Sequence, residues 1–141
     1  MTIKEKQDQI IEEFAMFDEW MDKYENIIDY GKELEGLDDS DKTDENIVRG
    51  CQSNVWLTAT EKDGKLIFNA DSDAIITKGI IGLLLEIFSG HTPQEIATTE
   101  LYAIDEIGLK EHLSPNRANG LTSMVNKIKM TALAYRAKQN G

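Results

Sequence analysis

The chain has few residues of the types that cross-link a fold or interrupt a helix: its 141 residues include one cysteine and two prolines. One thiol cannot form an internal disulfide, so a disulfide-stabilised secreted domain is not predicted, and a paired-cysteine reductase is excluded. One cysteine with two histidines is also a poor ligand set for structural zinc or an iron–sulfur cluster. We therefore expect no metal and no cofactor.

Long apolar runs and an excess of positive charge are also missing. The longest apolar stretch, residues 75–88, contains Lys78 and Glu86 and is too short to span a bilayer. The opening residues lack the apolar segment of a signal peptide, so we expect a cytoplasmic protein. Acidic residues outnumber basic ones by 26 to 15, for a net charge of −11. Such a surface repels phosphate backbones and anionic lipids, which argues against nucleic-acid and membrane partners.

The pattern of the residues that are present predicts one α+β domain over residues 1–141. The length and the 40% apolar content suit a single core. Thr2 with Glu5 is typical of a capping box, so a helix is predicted to begin there. Apolar residues at helical spacing continue to Gly31, either as one helix or as two with a bend near Asp18. An acidic connection follows at 32–46.

A small antiparallel sheet of about three strands is predicted in the middle of the chain. Residues 55–60 and 66–70 have strand-like composition and are joined by Asp63-Gly64, a dipeptide typical of tight hairpins. Ile47-Val48 lead into this region, and two or three short antiparallel strands are implied.

Helices are predicted to complete the domain. Three helix starts carry a side-chain cap or a proline at the first position: Asp71-Ser72-Asp73, Thr92-Pro93 and Ser114-Pro115. Gly79 and Gly82 on the first of these helices predict that another backbone approaches closely. On the last helix, Leu133 is expected to face the core and Lys129 to face outward.

Cys51 is the candidate reactive residue. Gly50 before it predicts a turn with positive φ, and the polar Gln52-Ser53 after it place the thiol on a loop that enters a strand. Nucleophilic use requires the thiolate, for which the Arg49 charge or backbone N–H groups of the turn are possible sources of stabilisation. The competing interpretation is a small, buried, inert cysteine.

Three functions remain compatible with one reactive or inert thiol. A thiol without a second cysteine can accept a group covalently and pass it on. A cysteine hydrolase would need a base, for which His91 and His112 are the available residues. A structural adaptor would need no thiol at all. The residues alone do not name the cargo of a covalent carrier.

The segment Asn46–Leu57 closely resembles the signature of SufE-type cysteine desulfuration proteins, with its core Gly50-Cys51-Gln52-Ser53-x-Val55-Trp56. The resemblance extends over nearly the whole chain. It includes Trp20 to Leu34, Asp71-Ser72-Asp73-Ala74, Lys78-Gly79, Thr92-Pro93 and His112-Leu113-Ser114-Pro115-Asn116-Arg117.

The resemblance implies a fold and a function. The fold is a small antiparallel sheet backed by helices, as in IscU-type scaffold proteins. Cys51 would accept persulfide sulfur from a pyridoxal-phosphate-dependent, SufS-type cysteine desulfurase and would stimulate that enzyme. It would then deliver sulfur to a SufBCD-type iron–sulfur assembly complex. A homodimer is left open.

Eight residues are expected to support Cys51: Gly50, Gln52, Ser53, Trp56, Asp71, Asp73, His112 and Arg117. Trp56 is expected to be an apolar cover for the thiol, or simply a core residue. The two aspartates are expected to cap a helix or to position the loop. His112 and Arg117 are expected beside the thiol, where the guanidinium would stabilise a thiolate or bind a partner's carboxylate.

Overall fold

Helices surround a two-stranded antiparallel hairpin in the structure, a computed structural model that describes residues 1–140. The elements are α1 (Ile3–Ala15), α2 (Trp20–Lys32), β1 (Val55–Lys62), β2 (Lys65–Ser72), α3 (Ile75–Phe88), α4 (Pro93–Thr98), α5 (Ala103–Glu106) and α6 (Pro115–Asn140). Single turns of 3-10 helix lie at Asp39–Asp41 and Lys110–His112. The α+β class is confirmed.

The first helix begins as the sequence predicts. The Thr2 hydroxyl accepts a hydrogen bond from the Glu5 backbone N–H, and the Glu5 carboxylate accepts one from the Thr2 N–H, both at 3.0 Å. This reciprocal pair satisfies two N–H groups that have no partner within the helix. The helical pattern up to Gly31 forms two helices, because the chain leaves helical geometry between Ala15 and Trp20.

The hairpin has the predicted position and turn. Val55 pairs with Ser72 at its open end, and Lys62 pairs with Lys65 beside the turn. Asp63 has φ 54° and Gly64 has φ 81°, the left-handed conformations that match a two-residue turn to the twist of its strands.

The expected third strand is reduced to one bridge. Ile47 pairs with Trp56, through hydrogen bonds of 2.7 Å from Val48 N to Val55 O and 2.8 Å from Leu57 N to Asn46 O. The ladder stops there because Gly50, with φ 97°, turns the chain away from β1. The prediction of about three strands is therefore wrong by one strand.

Helix α3 forms the centre of the core and packs closely against α2. A Cβ on Gly79 would lie 2.5 Å from the Ile27 carbonyl oxygen, and one on Gly82 would lie 2.6 Å from that of Tyr30. Real Cβ atoms do not approach this closely, so the two backbones can touch only where side chains are missing. The predicted close approach is confirmed.

The start of α3 differs from the prediction. Ala74 occupies the N-cap position, and no side chain caps the helix there. Asp71 and Asp73 both direct their carboxylates to other backbone groups, described below. Their expected role as helix caps is wrong: Asp71 lies within β2, which continues to Ser72, and the Asp73 carboxylate bonds to Asn54 instead.

Two residues of α6 face the opposite way from their prediction. Lys129 is half-buried, and its ammonium donates to the carbonyls of Ile96 (2.6 Å) and Thr99 (2.5 Å) at the end of α4. Leu133 is 38% exposed. The carbonyls that end a helix attract a cation strongly enough to draw the lysine inward.

Within residues 1–140, no helix is both long and apolar enough to cross a membrane.

Candidate functional site

Cys51 lies on the turn between the bridge at Ile47 and the start of β1. Gly50 holds the left-handed conformation that the sequence predicts for this turn. The thiol is half-buried, and its Sγ lies 3.6 Å from the carbonyl oxygen of Gly120 on α6, within reach of a weak S–H···O hydrogen bond. The thiol therefore points towards α6 and away from solvent.

A small pocket opens beside the thiol between the loop and two helices. Its lining residues are Cys51, Gln52 and Ser53 from the loop, Thr77 and Ile80 from α3, and Asn116, Arg117, Gly120 and Met124 from α6. Ile80 and Met124 are almost completely buried and form an apolar floor. The rim is polar, and the Asn116 amide donates to the Gln52 side chain at 3.4 Å. A sulfur atom added to Cys51 would thus have space beside it, between the apolar floor and the polar rim.

Burial raises the pKa of the Cys51 thiol. Desolvation disfavours the charged thiolate, which is the nucleophilic form of a cysteine. Arg117 is exposed and lines the pocket, whereas Arg49 is exposed but does not line it. Among residues 1–140, neither guanidinium has a carboxylate within ion-pair distance.

Asp73 fixes the end of the Cys51 loop. Its carboxylate accepts hydrogen bonds from the Asn54 backbone N–H (3.2 Å) and side-chain amide (3.0 Å). The neighbouring Ser72 hydroxyl donates to the Asn54 carbonyl at 2.8 Å. Asn54 follows Cys51 by three residues, so these bonds anchor the loop where it joins β1. This geometry agrees with the loop-positioning alternative for Asp73.

Asp71 binds a different segment. Its carboxylate accepts from the backbone N–H groups of Leu37 (3.2 Å) and Ser72 (2.9 Å) and lies 3.4 Å from the Lys42 ammonium and 3.3 Å from that of Lys78. Burial alone would raise the pKa of Asp71, but these hydrogen bonds and Lys78 hold it below its ordinary value. Asp71 thus ties the acidic connection to the hairpin.

Trp56 does not cover the thiol. It lies on β1 between the buried residues Val55 and Leu57, so strand alternation turns it to the opposite face. The Lys42 ammonium lies 5.4 Å from the centroid of its ring. Trp56 is absent from the lining of the Cys51 pocket, and the expectation that it shelters the thiol is wrong.

His112 also lies outside the pocket. Its ring stacks on Trp20, with centroids 3.7 Å apart and planes inclined by 26°, and its carbonyl accepts from the Tyr24 hydroxyl. The turn Lys110–His112 thereby packs against the start of α2, whereas Arg117, on the first turn of α6, reaches the pocket. The expectation that the two residues share one surface beside the thiol is wrong for His112.

His91 lies near the other end of the hairpin. Its Nδ1 is 2.9 Å from a Glu95 carboxylate oxygen, and its backbone bridges to Leu66. Leu66 pairs with Glu61, six residues along β1 from Val55, which corresponds to about 20 Å of strand. Neither histidine is placed to act as a base for Cys51, so the hydrolase alternative gains no support. Among residues 1–140, no three His, Cys, Asp or Glu residues form a candidate metal site.

Sequence reasoning missed Gly120 and Asn54. Gly120 faces the thiol, since a Cβ on it would lie 3.3 Å from Sγ. Its position inside a long helix is a signal that went unused, because glycine weakens a helix by about 1 kcal/mol relative to alanine. Asn54 carries no comparable signal, since an exposed asparagine before a strand is common.

Fold and site together define a small α+β protein that presents one thiol on an anchored loop beside a shallow pocket. A family model described as an Fe-S metabolism associated domain, SufE, matches residues 8–132. The chain belongs to the SufE family, which is associated with Fe–S metabolism.

Relatives and a solved structure agree with this assignment. An uncharacterized SufE-like protein of Rhizobium meliloti is 46% identical over 132 residues, covering 89% of this chain and 93% of that protein. One from Synechocystis is 36% identical over 132 residues, covering 94% and 83%. The solution structure of a hypothetical protein from Thermus thermophilus matches with a TM-score of 0.75 at 20% identity, covering 92% and 94% of the two chains. This last likeness supports the fold alone.

Proposed function

We propose that this chain is a sulfur acceptor that works with a cysteine desulfurase. Cys51 takes persulfide sulfur from a SufS-type, pyridoxal-phosphate-dependent desulfurase, stimulates that enzyme, and passes the sulfur to a SufBCD-type iron–sulfur scaffold in the cytoplasm. The observation that carries the proposal is the chain's one thiol, held inside the family motif beside a pocket. The proposal needs no metal or cofactor on this chain and no second copy of it.

The transfer step balances without an oxidant. The Cys51 thiolate attacks the outer sulfur of the desulfurase persulfide, forming a new S–S bond to Sγ. The S–S bond of the desulfurase breaks, and its cysteine leaves as a thiolate. Cys51 releases one proton when it forms the thiolate, and the leaving thiolate of the desulfurase can take up one proton. Delivery to the scaffold repeats the same exchange with Cys51 as the leaving group.

The pocket supports a carrier in two ways. At rest, burial favours the protonated thiol over the thiolate, which disfavours reaction with other thiols or oxidants. After loading, the pocket between the loop, α3 and α6 provides space beside Sγ for the added sulfur. Transfer in either direction requires the loop to open, and a partner opens it only by binding the open state better than the closed one.

Charge on the surface supports docking to another protein. Residues 1–46 contain 16 of the 26 acidic residues but only 5 of the 15 basic ones, so they carry the whole net charge of −11. The remainder is balanced, and Arg49 and Arg117 lie exposed around Cys51. We expect the partner to present basic residues to the first segment and a carboxylate near the thiol.

The stimulation of a desulfurase tests the proposal. Alanine formation from cysteine by a SufS-type enzyme is measured with and without the chain, at a fixed concentration of reductant. Wild type should accelerate turnover, Cys51→Ser should not, and His112→Gln should behave as wild type because it lies outside the pocket. Equal stimulation by wild type and Cys51→Ser would overturn the proposal.

A further inference from the structure

One face of α6 forms a docking surface for the loop that carries Cys51. Four α6 residues contact the segment 45–52 and are called the seat: Asn116, Gly120, Ser123 and Lys127. Their spacing of four, three and four residues places them in one stripe along the helix. The loop crosses this stripe in reverse order, from Glu45 beside Lys127 to Gln52 beside Asn116.

Two glycines make this close fit possible. A Cβ on Gly50 would overlap the Ser123 hydroxyl oxygen, and a Cβ on Gly120 would lie 3.3 Å from the Cys51 sulfur. Gly50 is also explained by its positive φ, but Gly120 is not, because it lies inside a helix that alanine would stabilise. The 3.3 Å approach to the Cys51 sulfur is the contact in the structure that disfavours a side chain at position 120.

The polar contacts between loop and seat are weak. Lys127 donates to the Glu45 carbonyl at 3.2 Å, Asn116 to Gln52 at 3.4 Å, and the thiol lies 3.6 Å from the Gly120 carbonyl. The first two bonds are exposed to water, which competes for the same groups. Because these bonds hold the loop only weakly, a single methyl group added at the seat should shift the equilibrium between docked and undocked loop.

We infer that Gly120 is a positioning residue for sulfur transfer: its missing side chain lets the Cys51 loop dock on α6 and so sets how often the thiol is presented to a partner. This role in transfer rests on the proposed function, whereas the docking itself does not. Filling the space at position 120 favours the undocked loop, in which the thiol is exposed.

The test is the alkylation rate of Cys51 by iodoacetamide in Gly120→Ala, with no partner present. We expect an increase of roughly fivefold or more, the change that corresponds to about 1 kcal/mol of docking free energy. The pH midpoint of the reaction should also fall, because an undocked thiol loses the burial that disfavours its thiolate. Asn119→Ala, at the exposed neighbouring position of the same helix, is the matched control and should react as wild type.

A second variant covers the case in which Gly120→Ala does not fold. Ser123→Leu places bulk against Gly50 from a half-buried position, and it should also accelerate alkylation. If the variant that folds shows an unchanged alkylation rate and an unchanged pH midpoint, the inferred role of the seat in docking the loop is refuted.

Loading with sulfur separates this inference from the proposed function. If wild type accepts sulfur from a desulfurase but Cys51 of Gly120→Ala is alkylated at the wild-type rate, the inference about Gly120 is wrong and the carrier function stands. If Cys51 of Gly120→Ala is alkylated faster but wild type accepts no sulfur, the docking of the loop on the seat stands and the carrier function is wrong.

Discussion

The anchor between Asp73 and Asn54 offers a quantitative test of how the loop controls Cys51. Asp73→Ala removes two hydrogen bonds to Asn54, of 3.2 and 3.0 Å, and leaves the Ser72 bond to the Asn54 carbonyl in place. Bonds to a carboxylate are stronger than neutral ones, but Asp73 is exposed and water replaces part of what is lost. We therefore expect the docked loop to lose about 1–2 kcal/mol.

The loss of docking free energy should raise the reactivity of Cys51. If Cys51 reacts only from the undocked loop, the population of that state rises by a factor of about 5–30 in Asp73→Ala, and the alkylation rate rises equally. Asp73→Asn keeps one acceptor oxygen and should fall between wild type and Asp73→Ala. Asp105→Ala removes the same charge from an exposed helix position outside the loop and should leave the rate unchanged. A wild-type rate in Asp73→Ala would show that the anchor does not restrain the thiol.

Three further outcomes follow from the structure. Because burial raises the pKa of the Cys51 thiol, the pH midpoint of its alkylation should be higher in the folded chain than in urea. By linkage, the free energy of unfolding should decline as the pH rises through the range in which this thiol loses its proton. A midpoint in the folded chain equal to or below that in urea would contradict this expectation. Because residues 1–46 carry the net charge, desulfurase binding measured by calorimetry should weaken with added salt, and unchanged or stronger binding would indicate an apolar interface. Gly79→Ala should lower the free energy of unfolding by about 1–3 kcal/mol in urea titrations, since its Cβ would meet the Ile27 carbonyl at 2.5 Å; wild-type stability would refute the close helix contact.

Local signals in the sequence were sufficient to place most helices and both strands. The Thr2–Glu5 capping box, the Asp63-Gly64 turn and the glycines of α3 each depend on neighbouring backbone geometry, and each is found as predicted. The third strand failed because a two-residue apolar segment cannot show where a neighbouring turn will end the pairing.

The site was predictable only where chain neighbours determine it. The Cys51 turn follows from Gly50, but the residues that shelter the thiol come from α3 and α6, and no periodicity in the sequence brings those helices to residue 51. Trp56 was assigned to the thiol from its proximity in sequence, although strand alternation sends it to the other face. His112 was misplaced for a related reason: the aromatic ring of Trp20 offers it a stacking partner that the sequence separates by 92 residues.

Whether Cys51 carries sulfur can be measured by intact mass spectrometry after incubation with a SufS-type desulfurase and cysteine. Wild type should gain the mass of one or more sulfur atoms, located on the peptide that contains Cys51 and removed by a thiol reductant. Cys51→Ser should gain nothing under the same conditions. Reducible sulfur on Cys51→Ser, or none on wild type in the presence of an active desulfurase, would contradict the account.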